Sequence, residues 1–392
     1  MAINNKRKIG ITFIIIIIIT AFLNSIAYAE SNIEKPSIQS ESAILIEEKT
    51  GRTLYEKNPD QLMNPASLTK IATAIYAIEE GNLEDIVTVS KNAREVEGTR
   101  VYLDEGEKVP LKKLIQGLLI NSGNDAAIAI AEHLDGTVDK FAVNLNQYLK
   151  EIGLQNTNFV NPHGLYQVEH KTTARDLAKI TQHAMKNEIF REMFGAIELK
   201  WDGESWDTTL YTHHKLMREI PYQGITGGKT GYVDESGITL ITTATRGDLS
   251  VIVVTLNAQN DDVAYQDTVN LLDYAFSNFK IMNIEKGTSY EINNAEYKTD
   301  ETLKFTVSNN ETIKYNVSNE GILEIKNENQ EVIASFQLIN DKESKGNVNA
   351  VKTKDSEIES VDSKNFINLI LVVFLFISLF FYFFKTRIVN SK

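Results

Sequence analysis

Pro65-Ala66-Ser67-Leu68-Thr69-Lys70 runs straight into Ile71-Ala72-Thr73-Ala74-Ile75-Tyr76-Ala77-Ile78. The pattern predicts a helix from about Ser67 to Glu80. Residues three apart on a helix share a face, about one turn apart, so Ser67 and Lys70 point the same way. A serine hydroxyl is a poor nucleophile at its own pKa and needs a neighbouring base. A lysine amine serves only while it is neutral. The alanines and isoleucines leave little polar surface, so this reads as a central buried helix. Burial disfavours the ammonium and lowers the Lys70 pKa. Four residues therefore hold the parts of a Ser/Lys acyl-transfer site.

One S-x-x-K tetrad is weak evidence, and Ser277 to Lys280 is a second. Two later segments give Ser67 its weight: Ser122-Gly123-Asn124 and Lys229-Thr230-Gly231 follow in order. Ser122 and Asn124 fall in a break between apolar helical runs. Leu111–Ile120 precedes it; Ala126–Leu134 and Val138–Ile152 follow. Serine and asparagine also favour plain helix caps, so the break by itself decides nothing. Lys229 precedes two β-type runs, Gly237–Thr245 and Leu249–Leu256, with Arg246-Gly247-Asp248 as their turn. Gly227 and Gly228 let a strand bring its backbone close to a ligand. Asp267–Phe279 reads as a last helix over the sheet. Decoys are placed differently. Lys49-Thr50-Gly51 is a hairpin turn between the alternating runs Ser42–Glu47 and Arg52–Glu56. Ser308-Asn309-Asn310 and Ser363-Lys364-Asn365 are stray S-x-N matches.

The chain has 392 residues, 42% hydrophobic and 24% charged, with a net charge of −13. That is ordinary globular composition, with room for one large domain and a smaller one. No long basic stretch lies in the folded region, which argues against a nucleic-acid partner. Cysteine is absent, so disulfides, zinc-thiolate sites and thiol catalysis are excluded. Six histidines include no H-E-x-x-H pattern. Adjacent His213 and His214 do not face one metal. No G-x-S-x-G elbow surrounds any serine, so His163, His170 and Asp176 are read as local hydrogen-bonding groups rather than a triad.

Both ends address a membrane. Lys6-Arg7-Lys8, the apolar run Ile9–Leu23 and Ala27-Tyr28-Ala29 form a secretory signal peptide cut after Ala29; an uncleaved anchor is the alternative. Phe366 to Phe384 is a run of 19 uncharged residues, about 28 Å as a helix and close to the hydrocarbon thickness. Lys385 and Arg387 follow it, giving a short cytoplasmic tail and an exported, tethered body. The expected organisation is signal peptide 1–29, lead-in 30–41, catalytic domain 42–280, small β module 283–340, disordered stalk 341–365, transmembrane helix 366–384 and tail 385–392. Short β-type runs at Leu303–Val307, Ile313–Val317, Ile322–Ile325 and Val332–Leu338 carry the module.

The sequence resembles the serine-type D-alanyl-D-alanine carboxypeptidases, which are low-molecular-mass penicillin-binding proteins. The resemblance covers about residues 38–280. It rests on Pro65–Lys70, Ile120-Asn121-Ser122-Gly123-Asn124-Asp125-Ala126-Ala127 and Gly227–Tyr232. Asn161-Pro162-His163-Gly164-Leu165, His170 and Thr173-Ala174-Arg175-Asp176-Leu177 add to it. Lys171 departs from the usual residue, and the long apolar tail departs from an amphipathic surface helix. The implied fold is α+β: an antiparallel sheet flanked by helices, with a helical subdomain carrying the S-G-N turn. The implied substrate is a peptidoglycan stem peptide ending in D-Ala-D-Ala. The resemblance makes Ser67 the nucleophile, Lys70 its base and Ser122 a proton relay. It assigns Asn124 to the peptide backbone, Lys229, Thr230 and Gly231 to the terminal-carboxylate site, and the N–H groups of Ser67 and Tyr232 to the oxyanion. It calls for no metal or organic cofactor and implies trapping by β-lactams; the lack of cysteine in an exported protein suits a Gram-positive surface. Rival readings are a β-lactamase, a transpeptidase and a non-catalytic β-lactam sensor.

Overall fold

A computed structural model describes residues 34–340, Ser205 and Asn294 excepted. The signal peptide, stalk, apolar tail helix and basic tail expected from the sequence lie outside the described residues. Among the described residues no helix is long and apolar enough to cross a membrane.

A five-stranded antiparallel sheet organises the molecule. Its strands are β1 (Ser42–Glu47), β2 (Thr53–Lys57), β3 (Ile225–Val233), β4 (Gly237–Arg246) and β5 (Leu249–Ala258), in spatial order β2-β1-β5-β4-β3. Every residue of β1 is buried. Strand side chains alternate between faces, and here both faces are covered. Ile44 and Ile46 join a large helical core, together with Ile252, Val254 and Leu256 of β5. Ala43 and Leu45 enter a second core with Val251 and Val253, closed by Leu271, Leu272 and Ala275. Those three residues belong to the helix Asp261–Asn278. The hairpin at Lys49-Thr50-Gly51 is present, with β1 and β2 paired antiparallel.

The helical layer begins with a 3-10 turn at Ala66–Leu68 that passes into α1 (Thr69–Glu80). Ten consecutive residues of α1, Thr69 to Ile78, are buried, as its composition demands. Around it pack α2 (Leu111–Ile120), α3 (Asn124–Asp135), α4 (Val138–Glu151) and α5 (Ala174–Ala184). Gly136 ends α3 in the left-handed region at φ 82, and Thr137 then caps α4 by accepting from the Lys140 N–H. The last helix, α6 (Asp261–Asn278), starts six residues before the expected Asp267. Its cap is the Asn260 side chain, which accepts the Val263 N–H.

At Phe279 the chain turns directly from helix to strand. Phe279–Ile284 pairs antiparallel with Leu303–Ser308. Further short antiparallel strands follow to Asn340, among them Lys314–Val317, Ile322–Lys326 and Val332–Gln337. They close on a core of their own that includes Phe305, Leu323 and Ile325. A bidentate ion pair ties these strands to the hairpin of the main sheet. The Arg52 guanidinium donates to both Glu311 carboxylate oxygens, at 2.6 and 2.9 Å, and also to the Thr306 carbonyl.

Candidate active site

Ser67 is the one partly accessible residue between Met63 and Ile78. The turn that presents it is tightly held. Ala66 lies at φ 49, in the left-handed region. The Thr69 hydroxyl donates to the Ala66 carbonyl at 2.9 Å, and the Thr239 hydroxyl of β4 donates to the Pro65 carbonyl at 3.0 Å. A non-glycine residue at positive φ persists only where its surroundings hold it, and such residues cluster at working sites.

Lys70 is fully buried one turn on. Its Nζ lies 2.8 Å from Ser67 Oγ and donates to the His163 carbonyl at 2.8 Å. Burial holds its pKa well below the ordinary lysine value. The nearby Lys229 pushes it further down, and Asp125 acts in the opposite direction. A neutral amine at this distance can accept the hydroxyl proton.

The loop carrying His163 is strapped to α1. Thr73 donates to the Pro162 carbonyl at 2.7 Å, and Thr69 Oγ1 pairs with His170 Nε2 at 2.8 Å. Gly164 sits at φ 88, and a Cβ there would come within 1.8 Å of the Ala66 carbonyl oxygen. Only glycine fits. Burial drives both His163 and His170 down to a pKa of about 3. The His163 and His170 Nδ1 atoms accept the N–H groups of Leu165 and Val160. Asp176 receives Asn156 N–H and the Thr157 hydroxyl instead. No Ser-His-Asp triad assembles from these residues.

Ser122 and Lys229 meet from opposite walls. Ser122 stands at φ 62 between α2 and α3. It accepts from Lys229 Nζ at 2.9 Å. Lys229 is also buried, and burial lowers its pKa to about 7. It lies within β3, an edge strand of the sheet, as the flanking glycines suggested. The glycines around it are explained by neighbours. A Cβ at Gly227 would strike the Phe194 ring at 2.4 Å, and one at Gly228 the His214 ring at 2.2 Å. At Gly231 it would lie 2.6 Å from Thr239 Oγ1 and 2.8 Å from the Ser67 backbone nitrogen. Gly231 thus lets the edge strand lie directly against the Ser67 turn.

The remaining candidates are less enclosed or otherwise engaged. Asn124 opens α3; its backbone N–H donates to Thr99 O at 2.7 Å and its amide nitrogen to Glu97 O at 2.6 Å. Thr230 is half-buried. The Tyr232 side chain is exposed, with its hydroxyl on Asp234 at 2.7 Å. Two supporting groups were not foreseen. One is the His163 carbonyl. The other is Asp125, whose buried carboxylate accepts the N–H groups of Val101 and Leu103 at 3.0 and 3.1 Å. It pins the loop beneath the S-G-N turn, where Tyr102 is held at φ 62. A charged residue beside Ser-Gly-Asn at the head of an apolar helix was the signal available. No cluster of three or more metal-ligating side chains occurs among the described residues.

A family profile described as D-alanyl-D-alanine carboxypeptidase matches residues 29–260. The chain is 34% identical over 251 residues to the D-alanyl-D-alanine carboxypeptidase DacF of Bacillus subtilis, covering 62% of this chain and 63% of that one. It is 30% identical over 294 residues to DacA, a D-alanyl-D-alanine carboxypeptidase of Haemophilus influenzae, covering 70% of this chain and 72% of the relative. The crystal structure of penicillin binding protein 5 from Haemophilus influenzae matches with a TM-score of 0.69 at 24% identity, over 78% of this chain and 98% of that one. That likeness concerns the fold.

Proposed function

This chain belongs to the D-alanyl-D-alanine carboxypeptidase family of serine peptidases, and from that premise we propose that Ser67 removes the terminal D-alanine from peptidoglycan stem peptides. The observation that carries the reading is the 2.8 Å contact between Ser67 Oγ and a fully buried lysine amine whose pKa is strongly depressed. Neutral Lys70 takes the hydroxyl proton as Oγ bonds to the carbonyl carbon. The oxyanion rests on the backbone N–H groups of Ser67 and Tyr232; the close approach at Gly231 supports that pairing. The peptide C–N bond then breaks. The proton passes from Lys70 through Ser122 to the departing D-alanine amine. Water, deprotonated in turn, releases the acyl group and restores the Ser67 hydroxyl.

Lys229 and Thr230 hold the terminal carboxylate, an anion that restores the charge on Lys229. Asn124 offers its carbonyl oxygen to a substrate N–H, since its amide nitrogen is engaged by Glu97. β-Lactams acylate the same serine. The chain works outside the cytoplasmic membrane after signal cleavage at Ala29, anchored by a helix at 366–384, with residues 283–340 as a β module between catalytic body and stalk.

Replacing Ser67 by alanine tests the reading. D-alanine release from a D-Ala-D-Ala peptide and labelling by a fluorescent penicillin should both vanish. Persistent release would remove Ser67 from the mechanism. Rapid penicillin turnover by the unmodified chain would instead favour the β-lactamase reading.

A further inference from the structure

Two separate elements must be held in register for the oxyanion pair to work. The Ser67 N–H belongs to the 3-10 turn Ala66–Leu68 and the Tyr232 N–H to the edge strand β3. Among the described residues no backbone hydrogen bond joins residues 64–69 to β3 or β4. Two side chains make the connection instead. Thr239 of β4 is fully buried, and its hydroxyl donates to the Pro65 carbonyl at 3.0 Å. That carbonyl also receives the Leu68 N–H, more loosely, at 3.3 Å. Asn64 is buried too, and its amide nitrogen donates to the Glu235 carbonyl at 3.2 Å. Its Oδ1 has no partner among the described residues, so the tie to Glu235 is what engages this amide. The two ties flank the donors. Thr239 pairs across the strands with Gly231. A Cβ on Gly231 would lie 2.6 Å from the Thr239 hydroxyl oxygen and 2.8 Å from the Ser67 nitrogen, so the hydroxyl sits where β3 meets the Ser67 turn. Glu235 follows Tyr232 in a turn closed by Ser236, whose Oγ accepts the Val233 N–H at 3.0 Å and donates to the Gly237 carbonyl at 2.7 Å.

We propose that Thr239, assisted by Asn64, is a positioning residue for the oxyanion donors: its hydroxyl, acting through the Pro65 carbonyl, sets how far the Ser67 N–H stands from the Tyr232 N–H. The proposal rests on the carboxypeptidase reading, because that reading assigns those two N–H groups to the oxyanion. Both side chains act through backbone groups rather than on the substrate. Negative charge reaches the carbonyl oxygen only as Oγ adds to the carbon. Donors held at the wrong spacing therefore cost the transition state more than the bound peptide, and the loss falls on kcat rather than on KM.

The test uses the full-length protein. Thr239→Val removes the hydroxyl and keeps the branched shape, whereas Thr239→Ser keeps the hydroxyl. Thr239→Val should lower kcat for D-alanine release from a D-Ala-D-Ala peptide, and the rate of acylation by benzylpenicillin, by about ten- to thirtyfold, with KM held within about twofold. Thr239→Ser should stay within about threefold of the unmodified protein. Asn64→Ala, on the other side of the junction, should cost about three- to tenfold and is read in the same way, so the outcome does not hang on one variant folding. The infrared stretch of the penicilloyl ester carbonyl is a readout that a loss of stability alone does not move. Hydrogen bonds to that oxygen lower its wavenumber, so it should rise in Thr239→Val and in Asn64→Ala and return in Thr239→Ser. A stretch that stays in place in the folded variants, or rates equal to those of the unmodified protein, overturns the positioning role whatever happens to Tm, and leaves the carboxypeptidase reading intact. An unmodified protein that neither releases D-alanine nor takes up penicillin overturns both.

Discussion

Replacing Lys229 by methionine should make the protein more stable at neutral pH while destroying its activity. Lys229 is buried and its folded-state pKa falls from 10.5 to about 7 through burial. A shift of that size corresponds to at most about 5 kcal/mol of destabilisation of the folded chain. The sign follows from proton counting. Between pH 7 and 10.5 the unfolded lysine holds a proton that the folded one has released. Wild-type stability therefore rises with pH across that window, by up to about 1.4 kcal/mol per unit. Below pH 7 the full penalty is present; above 10.5 it is gone. Methionine fills much the same volume and does not titrate, but it strips Ser122 Oγ of its donor, a loss of about 1 kcal/mol. The net expectation is a variant more stable than wild type by about 2–4 kcal/mol at pH 6, with the advantage largely lost by pH 10. Urea unfolding at a series of pH values measures it. A gap that does not change with pH, or a variant less stable at pH 6, would show that Lys229 is not held against its charge and refute the reasoning.

Gly231→Ala places a methyl 2.8 Å from the Ser67 nitrogen; acylation by penicillin should slow by about 100-fold, the scale of an ångström-sized misplacement, and a change under threefold contradicts the packing argument. Gly164→Ala should act through the Ala66 carbonyl and also lose stability, by at least about 1 kcal/mol from the positive φ alone; a melting temperature equal to wild type speaks against it. For kcat/KM the pH profile should be a bell whose acid limb comes from protonating Lys70, and whose alkaline limb begins near 7 as free Lys229 loses its proton. In kcat that alkaline limb should move up, because bound carboxylate favours the ammonium, and coincident limbs would remove Lys229 from carboxylate binding. Glu311→Ala leaves a largely enclosed Arg52 uncompensated and should cost about 3 kcal/mol, read as earlier unfolding and faster proteolysis of residues 279–340; unaltered proteolysis would reduce the ion pair to a surface contact.

Ser67, Lys70, Ser122 and Lys229 were legible because each belongs to a short run with its own local logic. The helix after Ser67 declares its burial by composition, and that burial explains the lysine pKa. Ser42–Glu47 was harder to read. It was expected as one arm of an alternating hairpin, but helices cover both faces of the sheet, so Ala43 and Leu45 are as buried as Ile44 and Ile46. The start of α6 is hard to read because Asp261 and Asp262 make its first turn polar, although Asn260 ahead of two acidic residues is a readable cap. Phe279–Ile284 is illegible in the sequence because a strand that follows a helix without a loop offers no turn signal. The His163 carbonyl could not be foreseen, since a backbone oxygen leaves no mark in side-chain identity. Gly231 and Gly164 were visible as letters, while their reason, a neighbouring backbone, exists only in three dimensions.

The enclosure of Ser67 limits how this chain could evolve away from an antibiotic. Sixteen successive positions expose a single partly open residue, and the glycines on either side of it face main-chain atoms of its own turn. Under the proposed mechanism, drift at those positions would dismantle the Ser67 turn before it excluded a β-lactam. Tolerant variation is left to the periphery, where Tyr102, Tyr166 and Tyr232 stand in solvent, so heritable escape would have to be built from the mouth of the cleft inward.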